Sequence, residues 1–94
     1  MYASVRHYQT YVVTEFADRL RDEFLPLIRE EPGFVAYYGV DVGGGEFVSV
    51  SVFETQEQAD ASNERANQWV KGAAAPFIVA EPKVVVGPVV ASFA

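Results

Sequence analysis

A few side chains in this sequence suit chemistry on a small organic molecule: Arg6, His7, Tyr37, Tyr38, Asn63 and Trp69. His7 is the only histidine. Its imidazole is the one side chain that ordinarily changes charge near neutral pH. Held about 3 Å from a phenol, it would serve as a general base. Asn63 offers a donor and an acceptor in one group. Trp69, the only tryptophan, presents a wide flat wall with a single N–H. Both belong to SNERANQW, residues 62–69, where two asparagines interrupt a helical pattern that they do not favour. Tyr37 and Tyr38 each carry a hydroxyl able to orient a phenolic ring, and Arg6 carries a permanent charge.

Each residue also has an ordinary structural reading. A lone histidine commonly serves as a structural hydrogen-bonder. The tryptophan can fill a core, the tyrosines can bury a ring with a wet tip, and Asn63 can face water. Position decides between these readings. Neighbours on a strand point to opposite faces. Only one of Arg6 and His7, and only one of Tyr37 and Tyr38, can line a cavity on a given side. An Arg6 facing away from that cavity would need a carboxylate, with Asp41 and Glu54 as candidates.

The elements that must place these groups are legible. Residues 2–9 read as a strand of mixed polarity. Phe16, Leu20, Phe24, Leu27 and Ile28 recur at helical spacing within 13–31. Pro26 should kink that helix and Pro32-Gly33 should end it. FVAYYGVDV and EFVSVSVFE flank Gly43–Gly45, a hairpin signal. Thr55 followed by Gln58 has capping-box spacing, which predicts a helix from Gln56 to Lys71 ending near Gly72. Its sheet-facing stripe would be Ala59, Ser62/Asn63, Ala66, Trp69/Val70 and Ala73, small and partly polar. Lys83–Ala91 reads as a last strand, at an edge or bulged because of Pro88.

The order βαββαβ predicts an α+β, ferredoxin-like sandwich: a four-stranded antiparallel sheet with two helices on one face. The first and third strands would be central. Both parities of the strands are apolar, as in Val84, Val86 and Val90 against Val85, Val89 and Ala91. Two helices cover one face only, so the other predicts a homodimer joined sheet to sheet.

Composition excludes other classes. One domain spans residues 1–94. Thirteen acids against seven bases give a net charge of -6 with no basic cluster, so nucleic-acid binding is not expected. The chain contains no cysteine and one histidine, so no metal site is expected. It shows neither an h-region nor an apolar run of about 20 residues. The expectation is a cytoplasmic protein without a membrane partner. The Gly43–Gly45 run does not precede a helix and lacks a following Lys-Ser/Thr, which rejects a phosphate loop.

PGFVAYY (32–38), SVSVFE (49–54) and SN…A…WV (62–70) together resemble the antibiotic biosynthesis monooxygenase-like family of the dimeric α/β-barrel superfamily. The resemblance covers nearly the whole chain. It implies a barrel formed by the sheets of two protomers, with a ligand cavity in each protomer between sheet and helices. Some relatives oxidise polycyclic phenols with molecular oxygen and no cofactor, and others degrade haem. The implied function is a cofactor-independent monooxygenase acting on a small phenol or hydroquinone. His7 would be the base, Asn63 and a tyrosine the orienting groups, Trp69 the wall, and Arg6 a ligand contact. The alternative is a non-catalytic dimer that binds a small molecule or acts as a scaffold. Haem degradation is disfavoured, because the family's axial histidine follows the second helix and KGAAAPFIVAEP has none.

Overall fold

The computed structural model describes residues 1–93. Strands β1 (Tyr2–Thr10), β2 (Phe34–Gly43), β3 (Glu46–Phe53) and β4 (Ile78–Pro88) form one antiparallel sheet in the order β2-β3-β1-β4. β1 and β3 are central, as the element order predicts, and Pro88 closes an edge strand. Helical residues Val13–Ile28 and the helix α3 (Gln56–Lys71) cover one face.

The first helical run has three parts: α1 (Val13–Arg19), a π-helical turn (Leu20–Phe24) and α2 (Leu25–Ile28). Its buried residues are Phe16, Leu20, Phe24 and Ile28, spaced by four. A regular α-helix drifts by about 40° over each such step. The wider turn, in which the Leu25 N–H bonds the Leu20 carbonyl, takes back part of that drift. The wide turn ends two residues before Pro26, so the proline without an N–H is accommodated in a continuous helical run. α2 ends at Ile28, earlier than the pattern predicts. Glu30 and Glu31 already bond three residues back, to Leu27 and Ile28.

The capping box forms as read. Thr55 Oγ1 accepts from the Gln58 N–H at 3.2 Å, and the Gln58 side chain accepts from the Thr55 N–H at 3.1 Å. Gly43, Gly44 and Gly45 all take positive φ, the conformation that a tight reversal requires of glycine. β4 starts at Ile78, before the predicted Lys83. It first pairs with Gln9 and Thr10, then shifts register before Lys83 meets His7. Pro82, which has no donor for the ladder, falls in that shift.

Register determines which residues face the helices. On β1 they are Ser4, Arg6, Tyr8 and Thr10, all buried; on β3 they are Phe47, Ser49, Ser51 and Phe53. On β2 a bulge between Phe34 and Ala36 changes the parity. Phe34 packs on Phe53 with ring centroids 5.8 Å apart. Tyr37 pairs with inward-facing Ser51, whereas Tyr38 pairs with Val50 and is 64% exposed. The simple alternation read for 34–42 therefore does not hold across Phe34. The outer face carries the row Tyr38–Val50–Val5–Val85, apolar throughout.

Candidate functional site between the sheet and α3

The inner face of the sheet is small and polar at its centre. Ser4 pairs with Ser51, and Arg6 with Ser49, which pairs in turn with Gly39. Above it, α3 presents Ala59, Ser62 and Ala66, all buried. The predicted stripe holds along the helix, except that buried Ala74 takes the place of exposed Ala73. The small residues let the helix come close to the sheet, and the polar ones meet across the gap.

Arg6 is the centre of that meeting. It is 4% exposed. Its Nε donates to the Tyr8 hydroxyl at 2.8 Å, one terminal nitrogen to Asn63 Oδ1 at 3.2 Å, and the other to Asn67 Oδ1 at 3.1 Å. Ser4 Oγ donates to the same Asn63 oxygen at 2.8 Å. The guanidinium also lies 5.5 Å from the centroid of the Tyr8 ring. Neither Asp41 nor Glu54 answers its charge: both are exposed, and Asp41 Oδ1 accepts from the Gly43 N–H. The ion pairs among the described residues leave Arg6 out. A buried guanidinium held by neutral acceptors alone is an uncommon arrangement.

Trp69 stands beside this cluster in an aromatic wall. Its ring lies 5.7 Å from Phe16 and 5.3 Å from Phe24, and Phe24 lies 6.5 Å from Tyr37. Two polar atoms in the wall are buried without a partner: Trp69 Nε1 and the Tyr37 hydroxyl. Buried polar groups are normally satisfied, so two orphans in one aromatic wall mark this interior. Surface recesses touch its edges, at Trp69, Asn67 and Tyr37. One of about 250 Å³ is lined by Phe24, Leu27, Arg65, Gln68 and Trp69. Another, of about 430 Å³, runs between α3 and β4 to Asn67. A groove of about 570 Å³ along β2 is lined by Tyr37, Tyr38 and Phe34 together with Leu25 and Pro26.

Burial pushes the Tyr8 phenol above its ordinary range, against the opposing pull of Arg6. Tyr37 is also driven up, first by burial and then by the nearby Tyr8 phenol; Ser49 and Arg6 offset part of this. Both phenols are therefore neutral donors at physiological pH. A raised folded-state value contributes stability that is complete below the unfolded tyrosine value, about 10. It is lost as pH rises towards the folded-state value. The protein is thus expected to lose stability above about pH 10. Tyr37→Phe should move that alkaline limit upward. By removing an unsatisfied hydroxyl it should also add about 1 kcal/mol at neutral pH. Urea denaturation against pH checks both; an unchanged alkaline limit in Tyr37→Phe contradicts the assignment.

The structure therefore brings Arg6, Asn63, Trp69 and Tyr37 to one region. It separates the others. His7, predicted as a base beside Asn63, points to the outer face and is exposed. There it lines a recess of about 140 Å³ with Gln9, Glu46, Glu81 and Lys83. Tyr38 shares the β2 groove with Tyr37 but belongs to the outer face. Sequence reasoning missed Tyr8, Ser4, Ser49 and Asn67. Asn67 was findable, since it lies one helical turn from Asn63 on the same face.

A four-stranded sheet with one layer of two helices on one face, closing over a polar and aromatic interior, defines a ferredoxin-like α+β sandwich. Solved structures share it along most of their length. A protein of unknown function from Nitrosomonas europaea superposes with a TM-score of 0.79 at 16% identity, covering 99% of this chain and 92% of that one. A monooxygenase of Streptomyces coelicolor, in complex with nanaomycin D, has a TM-score of 0.79 at 15% identity, covering 99% and 90%. A cofactor-independent oxygenase of Streptomyces nogalater has a TM-score of 0.74 at 11% identity, covering 97% and 94%. No protein-family model matches the chain, and no curated protein sequence matches it. The likeness read from the sequence to antibiotic biosynthesis monooxygenases is thus a likeness of fold.

Proposed function

We propose that this chain forms a homodimer and binds a small aromatic phenol or hydroquinone between its sheet and α3, where it serves as a cofactor-independent monooxygenase. The observation that carries the reading is the pair of buried, partnerless groups, Trp69 Nε1 and the Tyr37 hydroxyl, beside Asn63, which Ser4 and Arg6 hold in place. Aromatic walls with a few convergent polar groups are what a small-ligand site requires. The ring would lie against Trp69 and Phe24, with its oxygen turned towards Tyr37 and Asn63. A phenol is itself the reductant. With one molecule of oxygen it yields a quinone and water, so no added cofactor enters the balance. The fold shared with an oxygenase described as cofactor-independent and with a ligand-bound monooxygenase supports the same reading. So does the apolar outer face, which a second copy would cover.

Oxygen uptake over a panel of naphthols and anthrones tests the proposal. Asn63→Ala should lower the rate about a hundredfold to a thousandfold, the range set by loss of one donor that stabilises the reacting oxygen. His7→Ala should leave it unchanged, because the imidazole lies on the other face. Loss of activity in His7→Ala, or full activity in Asn63→Ala, removes the site from the interior. One observation favours a second reading, a non-catalytic binding module: the inner face offers no carboxylate or imidazole to act as base among the described residues. A ligand that raises Tm without any oxygen uptake would establish it.

A further inference from the structure

The lack of a base on the inner face and the excess charge of Arg6 are two sides of one arrangement. A guanidinium has five N–H groups. Arg6 uses one each towards Tyr8, Asn63 and Asn67, which leaves two without an acceptor among the described residues. Among the described residues, every group packed around it is neutral. Tyr8 follows on its own strand, Asn63 and Asn67 come from α3, Ser49 from β3, Val84 from β4 and the Tyr37 phenol from β2. Lys71 and Glu81 are exposed and line the outer recess at Asn67, opposite charges that offset each other there. The Tyr37 hydroxyl, a neutral donor that makes no hydrogen bond of good geometry, lies near Ser49 and Arg6. An interior of low dielectric thus holds one uncompensated positive charge and, near it, one O–H donor. What completes such a site is an acceptor oxygen carrying a negative charge.

We infer that the site takes its ligand as an aromatic oxyanion, a phenolate, and that the charge of Arg6 ionises it in place of a general base. The O–H bond of the entering phenol breaks, its proton goes to bulk water, and the electron pair stays on the oxygen. That oxygen accepts from the spare Arg6 N–H groups and from the Tyr37 hydroxyl. The inference rests on the interior being the ligand site, and it adds which charge state binds and which residue selects it. It also assigns Arg6 a role that a buried, unpaired cation does not serve in folding, where such a charge is a burden.

The test uses 1-naphthol and its ether, 1-methoxynaphthalene, under anaerobic conditions with the intact protein. Quenching of Trp69, the only tryptophan, reports binding of either, and the absorbance of naphtholate reports ionisation. The wild-type protein should lower the ionisation pH of bound naphthol by about two units, a hundredfold, within the range an opposite charge produces. It should bind naphthol at least about tenfold more tightly than the ether, which has no proton to lose. Arg6→Met should abolish the shift and the preference, and Arg6→Lys, which keeps the charge, should retain part of both. The wild-type titration stands by itself should Arg6→Met fail to fold. If naphthol and ether bind equally and bound naphthol ionises as it does in water, the pocket stands and the oxyanion inference falls. If neither quenches Trp69, the pocket falls as well.

Discussion

Replacing Phe16 by alanine is expected to remove about 3–5 kcal/mol of stability, the usual loss for a fully buried ring. Phe16 is 0% exposed. Its ring lies 5.0 Å from Tyr8, 5.3 Å from Phe47 and 5.7 Å from Trp69, so it joins β1, β3 and α3 through a single side chain of α1. Those neighbours belong to well-anchored elements and cannot all collapse into the space left behind. A chain of this length has a total stability of roughly 5–14 kcal/mol, so the loss is about a fifth of it or more. Urea denaturation with an unchanged m-value would measure it. Leu27→Ala, at a residue 51% exposed one face away, is the control and should cost under about 1 kcal/mol. A Phe16→Ala loss no larger than that of the control would mean that the aromatic layer under α1 does not hold the helix to the sheet.

Val50→Asp should split the proposed dimer and leave the protomer folded. Val50 sits on a central strand and pairs with Val5 on one side and Tyr38 on the other. In a sheet-to-sheet dimer it lies near the middle of the contact. The substitution places one carboxylate there from each copy, without a cation opposite. Burying an unpaired charge costs several kcal/mol. An overall loss above about 4 kcal/mol weakens association roughly a thousandfold. The inner face is untouched, so secondary structure and the buried state of Trp69 should persist. Sedimentation at micromolar concentration reads the outcome. A Val50→Asp protein that remains dimeric with unchanged affinity would place the interface elsewhere, and a wild-type protein that runs as a single chain would remove the dimer.

Much of the architecture was legible because local signals agreed with one another. Thr55 and Gln58 satisfy each other's backbone N–H groups within four residues, so their spacing alone marks the start of α3. Gly43–Gly45 take a conformation that other residues resist, so their type marks the hairpin. The π-turn before Pro26 was not legible. A run of apolar residues every fourth position is compatible with a straight helix that buries them unevenly as with a widened turn that aligns them. The bulge beside Phe34 escaped for the same reason. Parity counting assumes an unbroken ladder, and one extra residue moves Tyr37 to the helix side while Phe34 stays there.

The sequence by itself determined the order of the elements, the antiparallel sheet with β1 and β3 at its centre, the helix of Asn63 and Trp69, and the absence of cysteine chemistry. Only the tertiary structure decided which side of β1 the helices cover. On that strand both sides mix polar and apolar residues, so alternation says that Arg6 and His7 part company without saying which goes inside. The choice falls to groups far away along the chain. Asn63 and Asn67, 57 and 61 residues from Arg6, bring the oxygen atoms that make a buried guanidinium tolerable. No equivalent partners await His7, and it stays at the surface.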